Sequence, residues 1–402
     1  MYRAYDHQSS KRLCRSDCLP FAGCQGNDEI DYLIKKYMKD INRYIDAREA
    51  DIYNMPINER IDWLLNLGKK HSETYCAPDA YLSRKRYSAK HPTMIIALKC
   101  MDGRIHIPYA TKTPMGIVKP FRNIGGMFNL GWPYLGEVLS NTVNNAIESS
   151  QRVLILITYH YSKGDNHRGC AGFNYDCESA KKHVFEIKKQ VEHIFGSNHQ
   201  TVYPLICGFE TDEDAIILHE DEKKVLNLAE CEDSSNEFLF YKLKSMYPDM
   251  PDRILKDLMP LAKGNIEHIQ EVRKSHRNLA LDSVHREWII CVGRGFDFLH
   301  VPNIALIIGP YSPDLGGPIS KAVGIIKSNM SKGMIPDDGF FLLASAPYSE
   351  IGADRARAEL KSRFLSQYVT DVIKKDYPEM MSLLNKKTAV LNWHTRNLEM
   401  ID

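Results

Sequence analysis

Long apolar runs are missing from this 402-residue sequence. No segment approaches the roughly 20 residues that a membrane-spanning helix needs, and the polar stretch from Met1 to Pro20 lacks the apolar core of a secretory leader. The chain therefore reads as cytoplasmic, with no membrane partner. An excess of one charge is missing too: 52 Lys and Arg face 51 Asp and Glu, a formal net charge of +1. With no long basic run interleaved with aromatics, a nucleic-acid groove is not expected. Tight C-x-x-C pairs are absent as well. In a long chain of cytoplasmic character, ten cysteines argue for free thiols or metal binding rather than a disulfide framework.

The length exceeds what one hydrophobic core usually supports, so two or three domains are expected. Residues 1–88 read as helical. Ile30, Tyr32, Leu33, Ile34, Tyr37, Met38, Ile41 and Tyr44 recur near helical spacing, and a second helix through Ile61, Trp63, Leu64, Leu65 and Leu67 is predicted to stop near Gly68. From His91 the texture changes. Met94–Leu98, Val153–Ile157 and Val202–Cys207 are short apolar runs of buried-strand length, and helix candidates Leu135–Ser149 and Glu178–Phe195 alternate with them. That alternation predicts an α/β unit with a largely parallel sheet, whose ligands gather beyond the carboxyl ends of the strands.

After a charged, mostly helical stretch from about Leu226 to Asn278, strand-like runs resume at Trp288–Val292 and Ile304–Ile308. Two strings suggest a repeat: Ile105–Pro108 (IHIP) matches Leu299–Pro302 (LHVP), and Thr158–Ser162 (TYHYS) matches Ser345–Ser349 (SAPYS). The expected division is residues 1–88, 89–225 and 226–402, the last holding a helical linker and a degenerate second copy.

The strongest chemical signal is Cys100-Met101-Asp102-Gly103-Arg104. A thiolate, a carboxylate and a guanidinium stand on alternate positions at the end of a buried strand, where alternate side chains share a face. A catalytic zinc site takes sulfur and nitrogen donors and leaves one position open. Cys100 supplies one donor; His160, directly after a strand, and Cys170, in the Gly-rich GCAGF stretch, complete a Cys-His-Cys set. His167 competes with His160, since His167-Arg168-Gly169-Cys170 is an H-x-x-C. The repeat favours His160, whose counterpart is Pro347 beside the same Tyr-Ser pair. The second copy also places Arg294 opposite Cys100, Phe296 opposite Asp102 and Phe298 opposite Arg104, so it retains no ligand set.

C-x-D-x-R at a strand end, a strand-terminal His, a Cys beside Gly, and Arg122-Asn123-Ile124-Gly125-Gly126 between them resemble the β-class carbonic anhydrases. A helical N-terminal domain, one intact catalytic domain and a ligand-free copy are similar to the carboxysome shell branch in particular. The resemblance implies a pseudo-dimer within one chain, zinc as cofactor, and CO2 and bicarbonate as the small-molecule pair. It implies that Asp102, held by Arg104, orients the attacking water, or closes the site as a fourth ligand if that pair breaks. It also implies residence within a carboxysome, with carboxysome components or further copies of the chain as partners.

Two other functions use the same residues: hydrolysis of a CO2 analogue such as carbonyl sulfide or carbon disulfide, and a scaffold in which zinc is structural. Taken singly, Cys100 reads as a core thiol and Asp102–Arg104 as a surface ion pair; together with His160 and Cys170 they read as a site. Cys14, Cys18 and Cys24 are expected to be free thiols or an interaction segment. Cys177, Cys207, Cys231 and Cys291 are expected to serve packing. Arg122, Gly125 and Gly126 are read either as a simple turn or as a loop beside the metal pocket.

Overall fold

The computed structural model describes residues 52–232, 234–275, 285–294 and 304–402. The expected helix over Ile30–Tyr44, the three N-terminal cysteines, Phe296, Phe298 and the LHVP string lie outside the described residues. Among them, the fold is α/β with two mostly parallel sheets. No described helix is long and apolar enough to cross a membrane.

The first sheet has the order β2-β1-β3-β4-β5-β6. Its strands are β1 (Met94–Cys100), β2 (Val118–Asn123), β3 (Val153–Tyr161), β4 (Val202–Glu210), β5 (Ala215–His219) and β6 (Val225–Asn227). β1 to β4 pair in parallel and β5 and β6 close as antiparallel hairpins. The central strands are buried on both faces, as β1 and β3 show along nearly their whole length, which is why continuous Val/Ile/Leu runs rather than alternation marked them. Helices α3 (Pro133–Glu148) and α4 (Cys177–Phe195) supply crossovers and bury one apolar stripe each, Leu135, Leu139, Val143 and Ala146 in the first and Ala180, Val184, Ile187 and Val191 in the second. Asp176 caps α4 by accepting from the Glu178 N–H.

The second sheet has the order β11-β10-β9-β7-β8, from β7 (Ile289–Val292), β8 (Ala305–Ile308), β9 (Phe340–Tyr348), β10 (Leu384–Asn392) and β11 (Leu398–Met400). Read from the other edge, this is the order of β2-β1-β3-β4-β5. The registers also repeat. Ile95 stands opposite Leu154 and Val153 opposite Val202 in the first sheet; Ile289 stands opposite Phe341 and Phe340 opposite Leu384 in the second. His160 and Pro347 thus occupy the same place one residue before the end of β3 and β9.

Between the two sheets in chain order come α5 (Asn236–Met246) and α6 (Asp252–Lys274). The buried Asn265 of α6 accepts from the Ile216 N–H and donates to the Asp214 and Ala110 carbonyls, fastening the helix to the first sheet. The second sheet carries α7 (Gly316–Ser331) and α8 (Ala353–Asp376).

The N-terminal helices α1 (Ile57–Cys76) and α2 (Pro78–Lys90) differ from expectation in one respect. α1 runs through Gly68 and ends at Ala77, whose extended ψ of 138° is what the following Pro78 demands. One glycine costs a helix only about 1 kcal/mol, and this helix is anchored by the buried Ile57, Ile61, Leu64 and Leu67 before it. α1 docks on the second half: fully buried Arg60 pairs with Asp338 and lies 4.8 Å from the centre of the Trp288 ring.

Candidate metal centre

β1 and β2 end together, with Cys100 opposite Asn123. There the chain turns through Asp102 and Gly103 instead of continuing the strand, and Arg122 fixes that turn. Its guanidinium donates to the carbonyls of Cys100 (3.0 Å), Asp102 (2.7 Å) and Ile105 (2.9 Å). Buried Lys99 donates to the Ile105 carbonyl as well. Three main-chain carbonyls at a strand end are thereby satisfied by buried cations, and Arg122 is a structural organiser of the site rather than part of a simple surface turn.

The loop Ile124–Gly126 then passes under β3. Gly126 sits at φ 65°, and a Cβ there would lie 3.0 Å from the Thr158 carbonyl and 3.5 Å from the Cys100 nitrogen. Gly172 is tighter still, since its Cβ would come within 2.6 Å of the Gly125 backbone. The backbone around Cys170 can approach β1 only because these positions carry no side chain. Gly172→Ala is expected to push the 170–173 turn away, costing about 1–3 kcal/mol of stability and weakening metal retention by the cluster on dialysis; metal analysis beside a thermal melt checks both.

The turn brings Cys100, His160 and Cys170 together. Their Sγ and ring-nitrogen atoms lie within 4.8 Å of one another, all three buried. The donor set fits zinc on two counts. Zinc bound at ordinary Zn–S and Zn–N lengths separates tetrahedral donors by about 3.5–3.8 Å, within what this cluster offers. And both ring nitrogens of His160 are buried with no hydrogen-bond partner outside the cluster, which is costly unless something fills the coordination. The two thiols share one hydrogen bond. Cys100 donates to Cys170, which with the Gly172 and Phe173 N–H groups aimed at its sulfur holds Cys170 below the ordinary thiol value; that same bond and burial push Cys100 up.

Asp102 and Arg104 form the adjoining pair. Asp102 Oδ1 accepts from the Arg104 N–H (2.9 Å) and Nε (3.1 Å), and Oδ2 accepts from Nη2 (2.6 Å) and Nε (3.1 Å). Burial alone would raise the Asp102 carboxyl, but the guanidinium overcomes it and holds the carboxyl well below its usual range, while Arg104 is correspondingly raised. Both side chains are about 5% exposed, so water screens the pair little.

His167 is elsewhere. Its side chain is 84% exposed and faces Asp165, and it is not among the clustered donors. Cys177, Cys207, Cys231 and Cys291 also lie outside the cluster; burial pushes the Cys207 and Cys291 thiols up, as packed core thiols behave.

Two residues of the second half complete the site and carried no sequence signal. His285 Nε2 lies 3.1 Å from Arg104 Nη2, and His285 Nδ1 lies 2.8 Å from Glu287 Oε1, with Glu287 fully buried. They reach the site because β8 lies along the Asp102 turn: the Ile307 N–H donates to Met101 O (2.8 Å) and the Gly103 N–H to Ala305 O (3.2 Å). At the matching end of the second sheet stand Arg294, Pro347 and Trp393, beside a pocket lined also by Lys119 and Tyr311.

Residues 89–239 match the family model of the carboxysome shell carbonic anhydrase catalytic domain. Over 248 residues, 54% of this chain and 48% of the relative, the sequence is 26% identical to the carboxysome shell carbonic anhydrase of Prochlorococcus marinus strain MIT 9313. It is also 26% identical over 261 residues to that of Parasynechococcus marenigrum strain WH8102, covering 54% of this chain and 43% of the relative. The chain spans about half the length of the curated relatives it matches. Over the stretch that carries Cys100, Asp102, Arg104, His160 and Cys170, the chain is similar to the catalytic domain of the carboxysome shell carbonic anhydrases, the family its motifs resemble.

Proposed function

We propose that this protein is a zinc-dependent carbonic anhydrase that interconverts CO2 and bicarbonate at the Cys100-His160-Cys170 centre. The observation that carries the reading is the junction of two units: a buried three-donor cluster whose histidine has no other partner, beside a buried carboxylate locked as an acceptor. Cys100, His160 and Cys170 would hold zinc, which when bound would lower the pKa of a water to near neutrality and so make it a nucleophile for CO2.

The chain's own residues do the rest. Asp102, with its pKa held low by Arg104, stays ionised through the working pH range and can only accept hydrogen bonds. A water beside it must therefore point one O–H at the carboxylate, which turns a lone pair toward the carbon of CO2. Arg104, donating to Asp102 through both Nε and Nη2, keeps that carboxylate in one orientation. The intact pair commits both Asp102 oxygens to Arg104, so Asp102 would not serve as a further ligand to a bound metal. Burial of the pair keeps bulk water from competing for these hydrogen bonds.

Recurrence of strand order and register, with Arg294 and Pro347 where the first half has Cys100 and His160, supports a pseudo-dimer in one chain with a single metal centre. The division 1–88, 89–225 and 226–402 is proposed with it. The names of the relatives support residence with carboxysome components.

The histidine assignment is tested directly. His160→Ala is expected to lose zinc on dialysis, whereas His167→Ala retains it, by metal analysis of the two purified variants. Retention by His160→Ala with loss by His167→Ala would reverse the assignment.

A further inference from the structure

Arg104 is always a donor, because a guanidinium does not lose its proton in a protein. Its Nη2 meets three neighbours with two hydrogens, Asp102 Oδ2 at 2.6 Å, the Arg168 carbonyl at 2.9 Å and His285 Nε2 at 3.1 Å, so His285 shares one of them; Nε2 must then be the bare nitrogen of the ring, since an N–H there would face a group with no lone pair to accept it. The ring proton therefore sits on Nδ1 and is donated to Glu287 Oε1, 2.8 Å away. Glu287 is in turn oriented by Asn329 of α7, whose Nδ2 donates both to Glu287 Oε2 and to the Glu287 main-chain carbonyl, each at 3.2 Å. The main-chain carbonyl cannot donate, so the Asn329 amide cannot turn over without losing that bond.

We infer that His285, Glu287 and Asn329 form a positioning relay supplied by the second half of the chain, which holds Arg104, and through it Asp102, in working orientation. This deepens the reading of the preceding subsection and rests on it. Asp102, His285 and Glu287 offer atoms within 4.8 Å of one another, which could be taken for a second metal site. The Arg104 guanidinium lies against Asp102 and His285, a place a cation would contest, so the cluster is a hydrogen-bonded chain instead. The relay gives the second half a task in the reaction although it carries none of the three clustered donors. It also makes the tautomer of one imidazole the element that couples the two halves, since the other ring nitrogen's partner fixes it.

The Glu287→Gln substitution separates this role from simple packing. Asn329 Nδ2, pinned by the Glu287 carbonyl, faces the Oε2 side and so selects the amide oxygen there. The new NH2 then faces His285 Nδ1 and requires the opposite tautomer, with a proton on Nε2 opposing Arg104.

The test uses the zinc-loaded full chain with its histidine rings labelled with nitrogen-15, the His285 signals being assigned from a His285→Gln sample. The wild type is expected to show His285 protonated at Nδ1 alone at neutral pH. Glu287→Gln is expected to move the proton to Nε2 and lower kcat for CO2 hydration on the order of tenfold or more, with zinc content, KM and thermal midpoint near wild type. Glu287→Asp is expected to keep the original tautomer and recover most of the rate. A wild-type ring protonated at Nε2 or at both nitrogens overturns the relay, as does a tautomer switch that leaves kcat unchanged. Should Glu287→Gln fail to fold, the wild-type spectrum and the Glu287→Asp rate still decide it. Absence of CO2 hydration in the wild type would sink the carbonic anhydrase reading alone, because the tautomer is read without turnover.

Discussion

Replacing Cys100 by serine is expected to remove zinc from the protein, taking the metal content after dialysis from about one per chain to near zero. A hydroxyl at this site cannot ionise as a thiol does, and it is too short and too hard to replace a thiolate donor. The remaining His160 and Cys170 would be left as a two-donor site in a buried pocket. Cys170→Ser is expected to do the same, although Cys170 sits in a turn and Cys100 on a strand, because each supplies one of only three protein donors. Full zinc occupancy in either variant would show that these cysteines are core thiols. Replacement of Cys207 or Cys291, which are equally buried but outside the cluster, is the control that separates loss of a ligand from loss of packing.

The second large effect is expected at Asp102. Asp102→Asn conserves shape and leaves all three donors in place, so zinc is expected to stay. The amide changes the electrostatics completely. It presents an NH2 where Arg104 requires an acceptor on both sides, and it can donate to the attacking water where the carboxylate only accepts. Loss of CO2 hydration on the order of 10²-fold or more is expected, the scale on which a positioned acid–base or electrostatic group contributes. Zinc analysis and stopped-flow hydration on the same sample separate the two consequences. Near-normal turnover would remove Asp102 from the mechanism.

Much of the architecture was legible because parallel strands buried on both faces write themselves as short apolar runs. Met94–Leu98, Val153–Ile157 and Val202–Cys207 all fall within strands of the first sheet. Each strand proved longer at its carboxyl end, by residues such as Lys99, Cys100 and His160, whose polarity hid their place in the sheet. Lys99 is fully buried with its ammonium spent on the Ile105 carbonyl, an arrangement that hydropathy reads as surface. The site was legible in part for the opposite reason: Cys, Asp and Arg at alternate positions after an apolar run are rare enough to be noticed.

What stayed hidden depends on contacts between distant segments. Arg122 was readable as a turn residue, yet its three carbonyl partners become apparent only when β1 and β2 are side by side. His285 and Glu287 precede β7 in a half that lacks the donor set, and their spacing of two gives no periodic signal. They matter because the edge strand β8 runs along the Asp102 turn, a contact across some 200 positions that no local pattern encodes. The docking of α1 against the second half through Arg60, Asp338 and Trp288 was hidden in the same way.

Whether zinc at Cys100, His160 and Cys170 makes this protein hydrate CO2 is tested most directly by stopped-flow CO2 hydration with the purified full chain. Zinc is quantified on the same sample, under reducing conditions, with Cys100→Ser run in parallel. Turnover is expected to scale with zinc content and to disappear in the variant. Zinc-loaded protein that does not hydrate CO2 at neutral or alkaline pH would contradict the carbonic anhydrase reading.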